Sequence, residues 1–177
     1  MSGVVLVLDN GAASVKVGTT ADAVPHVIPN IYAKSKKRSK LHFVGSEIDS
    51  VRDPSGLNFL RPLDRGYPTN WDLQTQIWDF IFGANALRIC PREQPWLLTE
   101  PLLCPRSLSN TCDEVVFEAY QAPALHKTAA PTLALHYLQR RPGDHTTVTS
   151  GGGVEGTGAP GVETKRARVE YPAVLER

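Results

Sequence analysis

Nothing in this 177-residue chain is long and apolar enough to span a bilayer. The apolar run near its start, Val4 to Leu8, stops at Asp9, far short of the ~20 residues a membrane helix needs. No basic stretch precedes that run and no small-residue cleavage pattern follows it, so no secretory signal is expected. Ser at position 2 also removes a myristoylation signal. Charge of one sign is scarce. A formal net charge of +1 excludes binding of nucleic acid by bulk electrostatics, and no sequence-specific DNA contact is expected. The three cysteines, Cys90, Cys104 and Cys112, form no CxxC pair, and an odd count suits a reducing compartment, nucleus or cytoplasm. The five histidines lie too far from one another and from the cysteines for a zinc site. No GxxxxGK[ST] loop occurs, so the commonest nucleotide-binding motif is absent.

What remains is a chain able to bury a core, with 41% hydrophobic residues. Val4 to Leu8 reads as a strand that could be buried on both faces. Asp9-Asn10-Gly11 is a turn signal, and Val15-Lys16-Val17-Gly18-Thr19 alternates as a returning strand would. Val24 to Ile31, punctuated by Pro25 and Pro29, suits an edge strand. Lys34 to Lys40 is a short basic run that fits either a solvated loop or a nuclear-import patch.

From Thr69 the period becomes helical. Thr69 followed three residues later by Asp72 approximates a capping box. Trp71, Gln74, Ile77, Trp78, Ile81 and Phe82 then recur on one face until Gly83 ends the helix. This spacing assigns Trp71, Trp78, Phe80 and Phe82 to the core. Pro95 to Thr99 predicts a short buried strand. A second helix is expected from Ser109–Thr111 to Tyr120, and a weaker third from Pro131 through Leu138. After Arg141 the apolar pattern stops, and residues 142–177 are expected to be a disordered tail.

Two stretches suggest phosphate binding. Gly151-Gly152-Gly153-Val154-Glu155-Gly156 matches a GxGxxG string, but no buried strand precedes it, and Gly158, Pro160 and Gly161 forbid a helix after it. The candidate site is instead Asp9, Asn10, Gly11, Ala12, Ala13 and Lys16. A tight turn can aim successive amides into one concavity, and small residues let phosphate oxygens approach the backbone. Asp9 could hold magnesium through water, and Lys16 could bring a point charge. An ordinary β-hairpin turn would show the same spacing.

Asp9-Asn10-Gly11 with Lys16 resembles the first phosphate loop of actin and the actin-related proteins. Pro68-Thr69-Asn70-Trp71-Asp72 with Ile77-Trp78, Leu97-Leu98-Thr99-Glu100-Pro101, and Val116-Phe117-Glu118-Ala119-Tyr120 with Ala122-Pro123-Ala124-Leu125 continue the resemblance in the same order. Asp53-Pro54-Ser55-Gly56-Leu57, leading to Gly66-Tyr67, resembles a nuclear branch of that family. The likeness covers about residues 1–141. It implies an α/β fold: an incomplete actin-type, ribonuclease-H-like first lobe with a small inserted subdomain around residues 30–65. The family's second phosphate loop has no counterpart after Arg141, so the tail is expected to be an alternative or frame-shifted end. The family's hydroxyl residue and glycine are replaced by Ala12 and Ala13, and its water-positioning glutamine falls at or near Ala130. By resemblance the chain is expected to be no enzyme. It would serve as a structural, partner-binding subunit of a nuclear chromatin-remodelling complex that deposits a variant histone, touching its other subunits and histones. An actin-fold ATPase and a non-functional truncated isoform are the alternatives. No cofactor is expected in this chain, whereas ATP with magnesium would belong to a full-length form.

Overall fold

The computed structural model describes residues 3–37, 40–84 and 86–140. The expected disordered tail and the Gly151–Gly156 string lie outside the described residues. Among those described, no helix is long and apolar enough to cross a membrane.

The run before Asp9 forms β1 (Leu6–Asn10), and the alternating segment after the turn forms β2 (Ser14–Thr19). Proline-flanked β3 (His26–Pro29) lies at the edge of the sheet, where a missing amide donor is tolerated. Residues Tyr32–Ser35 (β4), His42–Val44 (β5) and Leu57–Leu60 (β6) build a separate three-stranded sheet in the order β5-β4-β6. Lys34 and Ser35 of the basic run therefore belong to a strand and not to a loop. Leu63–Asp64 (β7) and Tyr67–Pro68 (β8) make a two-residue pairing that delivers the chain to helix α1 (Trp71–Phe82). The chain then returns through β9 (Trp96–Glu100), α2 (Arg106–Glu114), β10 (Leu125–Ala129) and α3 (Ala130–Arg140). The main sheet runs β10-β9-β1-β2-β3, with β10, β9 and β1 parallel and β2 and β3 antiparallel.

One face of this sheet carries the core. Leu6, Leu8, Val15, Val17, Trp96 and Leu98 point to Ile77, Trp78, Ile81 and Phe82 of α1, all of them buried. Trp78 has no exposed surface and meets the rings of Trp71, Trp96 and Tyr120, each at a centroid distance of 5.8 Å. Edge-on aromatic packing of this kind adds to simple area burial. Trp78 and Phe82 are core residues as their spacing predicts, whereas Trp71 and Phe80 are half-buried at its margin. Val7 is only half-buried, so the first strand is not covered equally on both faces. Pleating puts Val7 on the opposite side from Leu6 and Leu8, away from α1.

Two helix starts differ from the sequence reading. The cap of α1 is Asn70 rather than Thr69, because the Asn70 Oδ1 accepts from the Leu73 amide at 3.0 Å. Helix α2 begins at Arg106, directly after Pro105, several residues before the expected Ser109–Thr111. Its continuation widens into one π-turn over Val115–Ala119, closed by the Tyr120 amide on the Val115 carbonyl at 3.3 Å. Gly45 joins the small sheet to the core with φ of +56°. A β-carbon there would fall 2.9 Å from Ile28 Cγ2 and 3.1 Å from the Phe80 ring.

Asn70→Ala is expected to cost about 1 kcal/mol in chemical denaturation, and Thr69→Ala much less. A larger loss for Thr69→Ala than for Asn70→Ala would return the cap to Thr69. Trp78→Ala is expected to cost ~3–5 kcal/mol, since neighbouring rings cannot close the space it leaves.

Candidate functional site

The carboxyl ends of the three parallel strands come to one edge of the sheet: Asp9 and Asn10 from β1, Thr99 and Glu100 from β9, Ala129 from β10. Ligands of open α/β sheets bind at such an edge. Asp9 pairs across the hairpin with Lys16, and the side chains share one face, with Lys16 Nζ 3.2 Å from Asp9 Oδ2. Thr99 reaches from the neighbouring strand and donates to Asp9 Oδ1 at 2.5 Å. Asp9 and Lys16 line an open depression of about 300 Å³ with Val7, Gly18 and Asp22.

Between them the turn Gly11–Ala13 is braced from behind. The Gly11 carbonyl accepts from Asn30 Nδ2 at 2.9 Å, the Ala12 carbonyl from Arg61 Nη1 at 3.1 Å, and the Ala13 carbonyl from the Asn30 amide at 3.0 Å. Because a peptide unit is planar, each held carbonyl also fixes the direction of the next residue's N–H. Glycine at position 11 is required by close packing. A β-carbon there would sit 2.8 Å from the Ser14 carbonyl and 3.3 Å from Lys16 Nζ.

Asn10 does not face the depression. Its amide Nδ2 donates to Gln74 Oε1 at 3.1 Å, and its Oδ1 accepts from the Trp78 indole at 3.3 Å. Asn30 and Gln74, both without exposed surface, bond reciprocally at 3.3 Å. Of the six predicted site residues, the structure therefore places Asp9 and Lys16 together on the sheet's open face and Gly11, Ala12 and Ala13 at the turn. It turns Asn10 inward as an anchor. Thr99, Asn30, Gln74 and Arg61 were missed. Gln74 carried the one available signal, a polar residue on the apolar face of a helix.

These residues suit a phosphate group at the turn, where amides are fixed and no side chain exceeds a methyl group. Of the six, Asp9 is the one carboxylate for magnesium; Asp22 in the same depression is taken by Thr19, and Glu100 at the end of β9 faces Lys127. No cluster of three or more metal-ligating side chains exists among the described residues. Ala130, the first residue of α3, is exposed and presents only a methyl group where β10 ends.

A second polar cluster lies behind the β9 and β10 ends. Lys127 Nζ is 2.7 Å from Asp113 Oδ1 and 3.6 Å from Glu100 Oε1, and donates to the Ser109 carbonyl at 3.0 Å. Burial opposes the Lys127 charge, but its hydrogen bond to Asp113 and the charges of Glu100 and Asp113 outweigh burial and raise its pKa. Beside it, burial pushes the Cys112 thiol up to about 12.

Residues 2–154 match the family model described as Actin, a match that runs beyond the expected limit at 141. The chain belongs to the actin family. It is 35% identical to Actin-related protein 6 of Drosophila melanogaster over 150 residues, covering 85% of this chain and 38% of that protein. Against Actin-related protein 6 of Dictyostelium discoideum it is 36% identical over 138 residues, 77% of this chain and 28% of the relative. Centractin of Schizosaccharomyces pombe is 33% identical over 144 residues, 77% of this chain and 38% of the relative. The chain thus spans roughly a third of the length of these relatives. The fold is the expected one, an incomplete actin-type lobe of mixed α/β content.

The Cys112 environment gives a pH prediction. Between the ordinary thiol value of 9.0 and about 12, the folded chain keeps a proton that the unfolded chain releases. Stability from this site is therefore complete below pH 9 and falls as pH rises through that window. Cys112→Ala should flatten the slope of unfolding free energy between pH 9 and 12. An unchanged slope would place the titrating group elsewhere.

Proposed function

We propose that the chain is a non-catalytic actin-family element that works by presenting a braced lobe to partner proteins. In this reading it acts in the nucleus, and also occurs in the cytoplasm, within a chromatin-remodelling assembly that deposits a variant histone. Its contacts are with other subunits and with histones. Support comes from the similarity to proteins named Actin-related protein 6 and from the Asp53-Pro54-Ser55-Gly56-Leu57 segment that resembles the same branch. The assembly and the histone come from that resemblance.

The absence of catalysis in this reading rests on one observation, the composition of the sheet edge. Phosphoryl transfer needs positioning and charge stabilisation from several sides of the phosphate chain. Here the turn, Asp9 and Lys16 stand on a single side, Asp9 already engages Lys16 and Thr99, and Glu100 at the same edge faces Lys127. By resemblance the family's water-positioning glutamine falls at or near Ala130, which can neither orient water nor exchange a proton. A phosphate held at Gly11–Ala13 is compatible with this arrangement. Asp9 would meet a magnesium ion through water, and Lys16 would lie beside the phosphate. ATP with magnesium in a longer form would use the same residues.

The chain should release no phosphate from magnesium ATP above background, and Ala130→Gln should create no turnover. Magnesium-dependent turnover abolished by Asp9→Ala would replace the scaffold reading with an ATPase. Co-purification of the tagged chain from nuclear extract should bring down remodelling subunits. Recovery of the chain alone, with a cooperative melt showing that it is folded, would remove the partner role.

A further inference from the structure

We infer that Asn30 and Gln74, with Arg61 at the surface, are positioning residues that set the direction of the Gly11–Ala13 peptides before any ligand arrives. This rests on the phosphate reading of the turn, but its physical content concerns the empty loop and can fail separately.

A carboxamide taken out of water is unfavourable unless its donors and acceptor are all engaged. Two fully buried carboxamides beside a core of apolar side chains thus require an account. Packing alone would be served as well by leucine or methionine. Their bonds run to one destination. Gln74 accepts from Asn10 Nδ2 at 3.1 Å and bonds Asn30 in both directions. Asn30 then donates to the Gly11 carbonyl from its side chain and to the Ala13 carbonyl from its backbone. Asn10, the residue just before the turn, is held at both ends, by Gln74 and by Trp78. The carbonyl that Asn30 leaves out, that of Ala12, is taken by Arg61, which arrives from just beyond β6 in the small sheet.

Three elements therefore clamp one turn: α1 through Gln74, the segment after β3 through Asn30, and the segment after β6 through Arg61. With each carbonyl held, the amides of Ala12, Ala13 and Ser14 have fixed directions. An anion meeting them pays little reorganisation, which partly offsets the hydroxyl that the Ala12–Ala13 pair lacks. The arrangement also gives the small sheet a direct mechanical link to the loop through one guanidinium.

Amide hydrogen exchange on the full chain without ligand tests this, with binding of inorganic tripolyphosphate measured in parallel. Asn30→Asp keeps the shape but turns an acceptor on the Gly11 carbonyl. Gln74→Met keeps length and apolar packing. Arg61→Ala lies at the surface and spares the core. Exchange at residues 12–14 should rise about tenfold in each variant, the scale of one or two lost hydrogen bonds, while β9 and α1 keep their protection. In Arg61→Ala the rise should centre on the Ala13 amide. Gln74→Glu, which still accepts from Asn10, should recover part of the loss. Unchanged exchange at 12–14 in Arg61→Ala and Gln74→Met would overturn the proposal and leave the carboxamides as core filling. Loosening in the variants, with no tripolyphosphate binding by the parent chain, supports the positioning role and overturns only the phosphate reading.

Discussion

Gln74 and Trp78 stand one helical turn apart on the face of α1 that meets the sheet, and both reach Asn10 at the end of β1. That contact ties the most apolar part of the molecule to its most polar turn. Leu6 and Leu8 anchor β1 in the core, Asn10 ends it against α1, and the chain is released only at Gly11. The register of β1 is then constrained from both sides. A slip of one residue would bury Asp9 against Trp78 and expose Leu8, so the alternation itself protects the position of the Asp9–Lys16 pair.

The two faces of the main sheet divide the work. One is closed by α1 and the ring cluster of Trp71, Trp78, Trp96, Phe82 and Tyr120. There the widened turn at Val115–Ala119 precedes Tyr120, whose hydroxyl donates to Asp79 at 2.9 Å on α1. The other face carries Val7, Asp9, Lys16 and Gly18 around an open depression. Polar chemistry is thus built on a surface whose reverse side is a packed core. Loops held by such a core deliver their groups more accurately than loops held only by one another.

Period and punctuation made much of this visible in the chain itself. Strand-length apolar runs, Asp9-Asn10-Gly11, the 3.6-residue stripe from Trp71 to Phe82 and the prolines flanking β3 are local signals, and local physics answers them. Local signals mislead where two of them compete. Thr69 and Asn70 are both good caps, and both amides donate to the Pro62 carbonyl, but it is the Asn70 side chain that accepts from the helix. Pro105 outweighed Ser109 because a proline can start a helix but cannot lie inside one. At the site, Asp9, Gly11 and Lys16 were legible because hairpin pairing brings them together. Asn30, Arg61 and Thr99 were not, since their contacts span 19 to 90 residues of chain.

The alanines at positions 12 and 13 make sense against that long-range bracing. A hydroxyl side chain in this turn would offer an anion one hydrogen bond whose geometry depends on a free rotor. Peptide N–H groups whose carbonyls are already engaged need no such adjustment, because planarity transmits the constraint from one atom to the other. The turn therefore relies on backbone held by distant side chains rather than on side chains of its own. Such a device holds its shape through contacts 19 and 49 residues away along the chain, independently of what the turn's own side chains can bind.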